Sequence, residues 1–455
     1  MGSVFAAMVS TAEAMRVMQR SLTIVENNIV NASTPGYARQ QASLVAAPFN
    51  PNSQSTSGGV QSGPMESTRS ASVESSVWKL QHNAGQAGSL RLKLSELERT
   101  FPLTEGAGLS AELDRFFNAV SQWSVSPNSP TARGQVLNRA TKIAQAFNQT
   151  SLDLANAGAR ATTELGQTVD TINRLARDIV AINNQKRENF ASSNDAGLDS
   201  RLHAKLEALS EIVNFTALPQ EDGSVSVMIG GQTPLVIGNT SFKVSLTQNA
   251  SGANRILDST GVDITDRLDG GRIAGLIEFQ NTLVPDYRTR LNTLAKGFAD
   301  GVNGVLAAGI DQNGNPPAQN LFTYNATVGE ATTIAVTSIT AAQLAAAAPG
   351  DPGGNTNALN LADLQRSPIV GGLTPAQFYA EITAAVGDRL NAVKSDVDLQ
   401  QNLLLQAQNL RAELSGVDIS VEATKLLQLQ KGFQAAGQVM SVLNSLNETV
   451  LGMLR

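Results

Sequence analysis

Met15, Met18, Leu22, Val25 and Ile29 recur at steps of three and four residues, the narrow apolar seam of a helix that lies against another helix. The chain closes in the same rhythm, with Leu426, Leu429, Phe433, Ala436, Met440, Leu443, Asn447, Val450 and Leu454. Asn447 is the single polar member, the kind of residue that fixes register in a helix pair. An amphipathic helix on a globular core would show the same period, but narrow seams at both ends favour paired termini and assembly. After the first seam come Asn27, Asn28 and Asn31, then Thr34-Pro35-Gly36-Tyr37. Short amide side chains compete for backbone hydrogen bonds, so the first helix is expected to fray after roughly twenty-five residues, about 37 Å. Pro35-Gly36 then predicts a type II turn.

Between the seams the pattern changes several times. Residues 41–72 are rich in Ser, Gly, Pro and Gln, which excludes helix and predicts loop or extended chain. Helical periods follow over 73–100, closed by Pro102, and over 109–123, closed by Pro127 and Pro130. No proline occurs between Pro130 and Pro219. A helix over 131–185 is therefore expected, about 80 Å if Gly158 and Gly166 do not bend it. A shorter helix spans 198–214. Alternating positions at 224–229 and 233–237, joined by Gly230-Gly231, read as a hairpin, so 215–268 is a β-rich insertion. Helix returns over 273–306, interrupted at Pro285. Thr332 to Val336 reads as an edge strand in a Gly-, Asn- and Ala-rich stretch. A last long helix starts near Pro375, with Ile382, Val386, Leu390, Val393, Val397, Leu403 and Leu410 as contacts, and Gly416 separates it from the terminal helix.

The fold expected is mainly α with a β-rich insertion. Residues 1–40 plus 418–455 form a coiled-coil-like inner layer. Residues 41–214 plus 269–308 and 366–417 form a long-helix bundle, and 215–268, with 309–365 as an optional addition, lies outermost.

Composition narrows the function classes. At 455 residues the chain is too long for one compact core. A net charge of −6 with 16% charged residues argues against a nucleic-acid partner. No cysteine means no disulfide, thiolate nucleophile or sulfur-rich metal site. No apolar run is long enough to insert in a membrane. The first basic residue is Arg16, so a cleavable secretory signal is not expected.

Candidate chemistry is sparse. His82 and His203, 121 residues apart in expected helices, are read as solvated or helix-surface residues and not as catalytic or metal-binding ones. Asp311-Gln312-Asn313-Gly314-Asn315 opens like a calcium loop but has Phe322 where the closing Glu belongs, so a polar turn is the better reading. Trp78 and Trp123 are expected in the core. Tyr37 and Arg39 are equally candidates for contacts between subunits or for covering the helix end. No catalytic, metal or cofactor constellation is present, and the chain is not expected to be an enzyme.

The stretch Asn27-Asn28-Ile29-Val30-Asn31 with Thr34-Pro35-Gly36-Tyr37 resembles the amino-terminal signature of the flagellar axial proteins, the rod, hook and hook-associated proteins. Ala38-Arg39-Gln40, with the closing Ser415-Gly416-Val417-Asp418-Ile419-Ser420, Glu422-Ala423 and Gln428 to Ala436, is similar to the hook-associated protein 1 group of that family. The resemblance is specific over about forty residues at each end and weak in the middle. It implies a structural subunit forming the layer at the distal end of the hook. The implied partners are further copies of itself, the hook protein, the second junction protein (hook-associated protein 3) and an export chaperone at the carboxy-terminal helix. It also implies type III export without a cleaved signal, to the extracellular hook–filament junction. Met15, Met18, Leu22, Val25, Ile29, Leu426, Leu429, Phe433, Met440, Leu443, Val450 and Leu454 are then the expected assembly contacts.

Two alternatives stand beside this reading. A hook or distal-rod protein shares the amino-terminal signature but usually carries Ala-Asn in its closing helix, where this chain has Ala435-Ala436-Gly437. A secreted coiled-coil translocator or adhesin would share the paired seams but not the asparagine-rich turn.

Overall fold

The structure, a computed structural model, describes residues 2–48, 58–102, 108–188 and 195–453. Helix α1 (Gly2–Val30) is followed by strands β1 (Gln40–Ala46) and β2 (Val60–Ser67), which pair antiparallel and lie against α1. Within the stretch expected as loop or extended chain, the described residues include two extended strands, paired as a hairpin against α1. Then come α2 (Ala71–Glu98), α3 (Gly108–Val125), α4 (Pro130–Glu188) and α5 (Ala196–Ser210).

The helix α4 is unbroken over 59 residues, about 88 Å at 1.5 Å per residue. Pro130 sits where a missing N–H costs nothing, and no later proline interrupts it. Gly158 does not end it; a Cβ there would lie 2.7 Å from Gln280 Oε1, so this glycine allows close approach of the segment beside it. Val136, Ile143, Phe147, Leu154, Ala161, Leu165 and Ile172 face inward along its length.

Strands β3 (Phe215–Pro219), β4 (Val225–Ile229), β5 (Thr233–Ile237) and β6 (Thr240–Ser241) form one antiparallel sheet in that order, and β7 (Ser245–Gln248) pairs with β8 (Asn254–Leu257). Gly230 and Gly231 turn the β4–β5 hairpin with φ of 53° and 81°, as a primed turn requires. This segment packs on α4, and Val227, Ile229, Leu235 and Val236 join the same continuous core as the helices.

A π-helical turn at Phe279–Leu283 links α6 (Gly271–Glu278) to α7 (Val284–Ala307). Pro285, expected to interrupt the helix, is accommodated by that wider turn, which frees the carbonyls its ring would meet. Next come β9 (Phe322–Thr323), α8 (Glu330–Thr333), β10 (Ala335–Val336) and α9 (Thr356–Asp363). Thr332 and Thr333 are therefore helical, and only Ala335–Val336 pairs as a strand, with Phe322–Thr323. A local bond explains it: Thr333 Oγ1 donates to the Gly329 carbonyl at 2.7 Å and closes the turn. This region packs on α3, α4 and α7. The Asp311 carboxylate accepts from the amides of Asn313 and Asn315 at 2.8 and 2.9 Å and so forms a turn.

Helix α10 (Pro375–Ser415) opens with a reciprocal cap, Thr374 Oγ1 accepting from Gln377 N and Gln377 Oε1 from Thr374 N. Ile382, Val386, Leu390, Val393 and Val397 are buried, chiefly against α2, whereas Leu403 and Leu410 point outward. These two leucines lie off the face that α2 covers, since α2 still accompanies α10 as far as Arg411, which faces Glu74. Helix α11 (Ile419–Met453) lies along α1.

The densest part of the core is aromatic. Phe298 of α7 has ring centroids of Phe116 and Phe322 at 5.3 Å, Phe147 at 6.0 Å and Phe117 at 6.1 Å. Trp123 is fully enclosed and Trp78 nearly so.

Candidate assembly interface

The turn after α1 is built as its residues dictate. Tyr37 N donates to the Thr34 carbonyl at 3.1 Å across Pro35-Gly36, and Gly36 has φ of 74°. Glycine is needed here twice over, because a Cβ would also clash with the Ser200 carbonyl and lie 2.9 Å from the Ala204 nitrogen of α5. The turn thereby docks the end of α1 onto the helical body.

Asn28 holds the next layer. Its Nδ2 donates to the Gln40 carbonyl at 2.9 Å and to Glu422 Oε2 at 3.0 Å. Its Oδ1 accepts from Gln40 N and from the Tyr37 hydroxyl, each at 2.9 Å. Asn28 and Glu422 are both 1% exposed, and Lys425 Nζ sits 3.1 Å from Glu422 Oε1. Burial, with the Glu422 charge second, pushes the Tyr37 phenol up to about 12. Tyr37 is therefore tied inside the chain. Arg39 contributes through its backbone, donating to the Ser415 carbonyl at 2.8 Å and accepting from Thr68 N at 2.9 Å.

A charged relay runs on from the turn into the body. Arg69 donates to the Gly36 carbonyl at 2.6 Å and pairs with Glu74 at 2.7 Å and Asp199 at 3.2 Å. Glu74, only 2% exposed, also faces Arg411 of α10 at 3.6 Å, and Arg411 grips Glu207 of α5 through two bonds of 3.1 and 3.2 Å. Buried charges need such partners. One network thus joins α1's turn to α2, α5 and α10.

The helix pair itself is thinly covered. Met15, Met18, Leu22 and Ile29 are half-buried, as are Leu426, Leu429, Phe433, Met440, Leu443 and Val450; Val25 is buried, and Leu454 lies outside the described residues. The fully buried members of α1 are Val17, Ile24, Val25 and Asn28, so the covered stripe is rotated from the seam read in the sequence. In α11, 35 residues long, the only buried residue is Glu422. Phe5, Val9, Leu427, Val439, Val442, Leu446 and Leu451 are exposed by 46% to 70%. The sequence reading missed Asn28 and Glu422 as a pair; a glutamate opening an apolar helix opposite an asparagine cluster was the available signal.

Both histidines lie off the α1–α11 pair and both are covered, with His203 Nε2 3.8 Å from Asp199 of the relay. His82 is 7% exposed and meets Phe215 edge-on at 5.4 Å, while His203 stacks on Trp78 at 5.9 Å. The expectation of solvated helix-surface histidines fails because β3 folds Phe215 across the α2–α5 seam.

Residues 94–322, half of the chain, match the family described as "Flagellar hook-associated protein FlgK helical domain". The chain belongs to the FlgK family. Flagellar hook-associated protein 1 of Bacillus subtilis (strain 168) is 26% identical over 99% of this chain and 98% of its own length. The protein of the same name from Salmonella typhimurium is 22% identical over 96% of this chain and 98% of its own length. The structure of the flagellar hook junction protein FlgK from Burkholderia pseudomallei superposes with a TM-score of 0.68 at 15% identity, covering 74% of this chain and 99% of that one. The chain is accordingly a structural subunit of the bacterial flagellum at the hook–filament junction, in a family of structural proteins with no enzymatic role. Among the described residues no helix is long and apolar enough to cross a membrane.

Proposed function

We propose that this FlgK-family subunit assembles into a ring or helical layer through α1 and α11, capping the hook protein on one side and receiving the second junction protein, hook-associated protein 3, on the other. The carrying observation is that α11 buries a single residue, Glu422, while Leu427, Val439, Val442, Leu446 and Leu451 stay exposed. An apolar stripe of this extent is costly in a free monomer. Repeated around an axis, it becomes the second half of each intersubunit contact. The half-buried seam of Met15, Met18, Leu22, Ile29, Leu426, Leu429, Phe433, Met440, Leu443 and Val450 pairs the two termini within a subunit.

On this reading α1, the β1–β2 hairpin and α11 form the axial domain, and the continuous core from α2 to α10 forms the body around it. The exposed stripe needs cover before assembly, so an export chaperone binds the carboxy-terminal helix. The subunit leaves the cell by flagellar export, without a cleaved signal, and works outside it. Immunogold labelling should decorate hook tips alone; labelling along the whole hook would overturn the layer in favour of a hook or rod protein. Chaperone binding of normal affinity after deletion of residues 415–455 would overturn the chaperone assignment.

A further inference from the structure

A pocket of ≈ 550 Å³ opens where α2, α5 and β3 meet, near the carboxy-terminal end of α4. Its wall holds Trp78, Phe215, Leu202 and Leu206, both histidines, and a set of charged groups. Pockets of this kind, apolar with a few convergent polar groups, are where proteins take small ligands.

Three polar atoms in that wall have no hydrogen-bond partner and almost no exposed surface: Trp78 Nε1, His82 Nε2 and His203 Nδ1. A buried polar atom without a partner carries a desolvation cost that a suitable group removes. An indole N–H can only donate, so the partner missing at Trp78 is an acceptor.

The charges say which acceptor. Glu74 is already paired with Arg69 and Arg411, and Asp199 with Arg69 and Lys186 at 3.2 and 3.4 Å. Burial pushes both histidines down to about 4, with the Arg69 charge adding to it at His203, so they are uncharged at neutral pH. Lys79, exposed at the rim, has no ion pair among the described residues. The uncommitted charge at this pocket is therefore positive.

We propose that this pocket binds a small organic monoanion: a flat apolar body that lies along Trp78, Phe215 and Leu206, with one carboxylate directed to Lys79 and to the indole N–H of Trp78. The indole N–H is covered as the side chains stand, so binding requires the Trp78 ring to turn toward the pocket. The site stands apart from the α1–α11 contact, and its occupancy does not depend on assembly. It does touch the relay, since Arg69 and Asp199 line it, so a bound anion acts on the junction between the turn at Gly36 and the body.

The chain has two tryptophans, so its indole N–H groups give two nitrogen–proton signals in the full-length protein, assigned with Trp78→Phe. Trp123 Nε1 donates to the Pro127 carbonyl at 3.2 Å in the enclosed core and serves as the internal control. Naphthalene-2-carboxylate is titrated beside naphthalene-2-carboxamide, the same body without the charge. The expected result is a saturable shift of the Trp78 signal with Trp123 unmoved. Lys79→Glu, a surface change that leaves folding intact, should weaken the carboxylate about tenfold and leave the carboxamide unchanged. Absence of a saturable Trp78 shift with either compound overturns the site. Equal binding of the two compounds, or no effect of Lys79→Glu, overturns the anion.

Discussion

The body around Phe298 and the pair formed by α1 and α11 are both helical, yet they are stabilised in different ways. Phe298 is wholly enclosed, with four aromatic rings from three other elements around it. In α11 the sole enclosed side chain is a glutamate. The body is complete as a core, whereas the pair is half of one. Helices of such length hold together in water chiefly through a covered apolar face, and here only one face of the pair is covered. A protein that must travel as a subunit and then lock into a layer needs such a division, with a rigid part that keeps its shape and a part whose stability arrives from neighbours.

Acid should separate the two regions most strongly. His82 and His203 both lie in the body and are held near 4, below the ordinary value of about 6.5. Above pH 6.5 both states are neutral and the body keeps its full stability. Between 6.5 and 4 the unfolded chain takes up protons that the folded body refuses, so stability falls as pH falls, and below 4 the loss is complete. At 1.36 kcal/mol per pKa unit the effect is about 3 kcal/mol for each histidine. Burial pushes the Asp199 carboxyl up, but His203, Arg69 and Lys186 outweigh it and hold it below its ordinary range. It therefore adds a further loss at still lower pH. Calorimetry from pH 7 to 4 should show the body's transition moving down by many degrees, and a His82→Phe variant should flatten the curve. A flat curve in the unaltered protein would show that the histidines are solvated after all.

Next in size is Phe298→Ala, which empties the aromatic centre and should cost about 3 to 5 kcal/mol. Phe433→Ala, in the half-buried seam, should leave the body's transition in place. If the two changes shifted that transition equally, the terminal pair would be part of the same core and the contrast would fail.

Much of this architecture was legible in the sequence. The two terminal helices, the unbroken α4, the β4–β5 hairpin and the turn at Pro35-Gly36 follow from local period and backbone chemistry, although the covered stripe of α1 does not. The misreadings share a cause, which is that burial is decided by elements far away in the chain. Asparagine shows it best. The cluster at Asn27–Asn31 was read as a fraying signal, yet Asn28 lies within α1 and bonds both the amide and the carbonyl of Gln40. Asn173 does the same to Val244, Asn183 to Val225 and Asn303 to Phe322. In each case a helix-borne amide takes the place of a neighbouring strand. Local propensity sees a poor helix former, and only the strand it meets explains it. The histidines were misplaced for the same reason, whereas Leu403 and Leu410 lie off the face of α10 that α2 covers.

Asn28→Ala tests the joint between the regions. It leaves Gln40 N, its carbonyl and the Tyr37 hydroxyl without their partner and strips Glu422 of one of its two. A loss of about 2 kcal/mol is expected, confined to the terminal pair. Hydrogen exchange should quicken over residues 20–45 and 415–430 while amides in α4 and α7 keep their protection. Equal loosening of α4 would mean that the pair and the body open as one unit.

The smallest expected effect on the monomer is also the sharpest probe of the contrast. Val442 is 64% exposed on α11, so Val442→Ser removes little that the folded monomer uses. Its stability should stay within about 0.5 kcal/mol of the parent. Assembly is another matter, because a side chain exposed in the monomer and covered in the layer contributes its burial only there, about 1.5 to 3 kcal/mol for a fully covered valine. Multiplied around a ring, even the lower figure should remove stable attachment to hook ends, measured by sedimentation of the variant with purified hooks. Normal co-sedimentation would leave the exposed stripe without a partner and move the contact to another face, the outward leucines of α10 being the next to test.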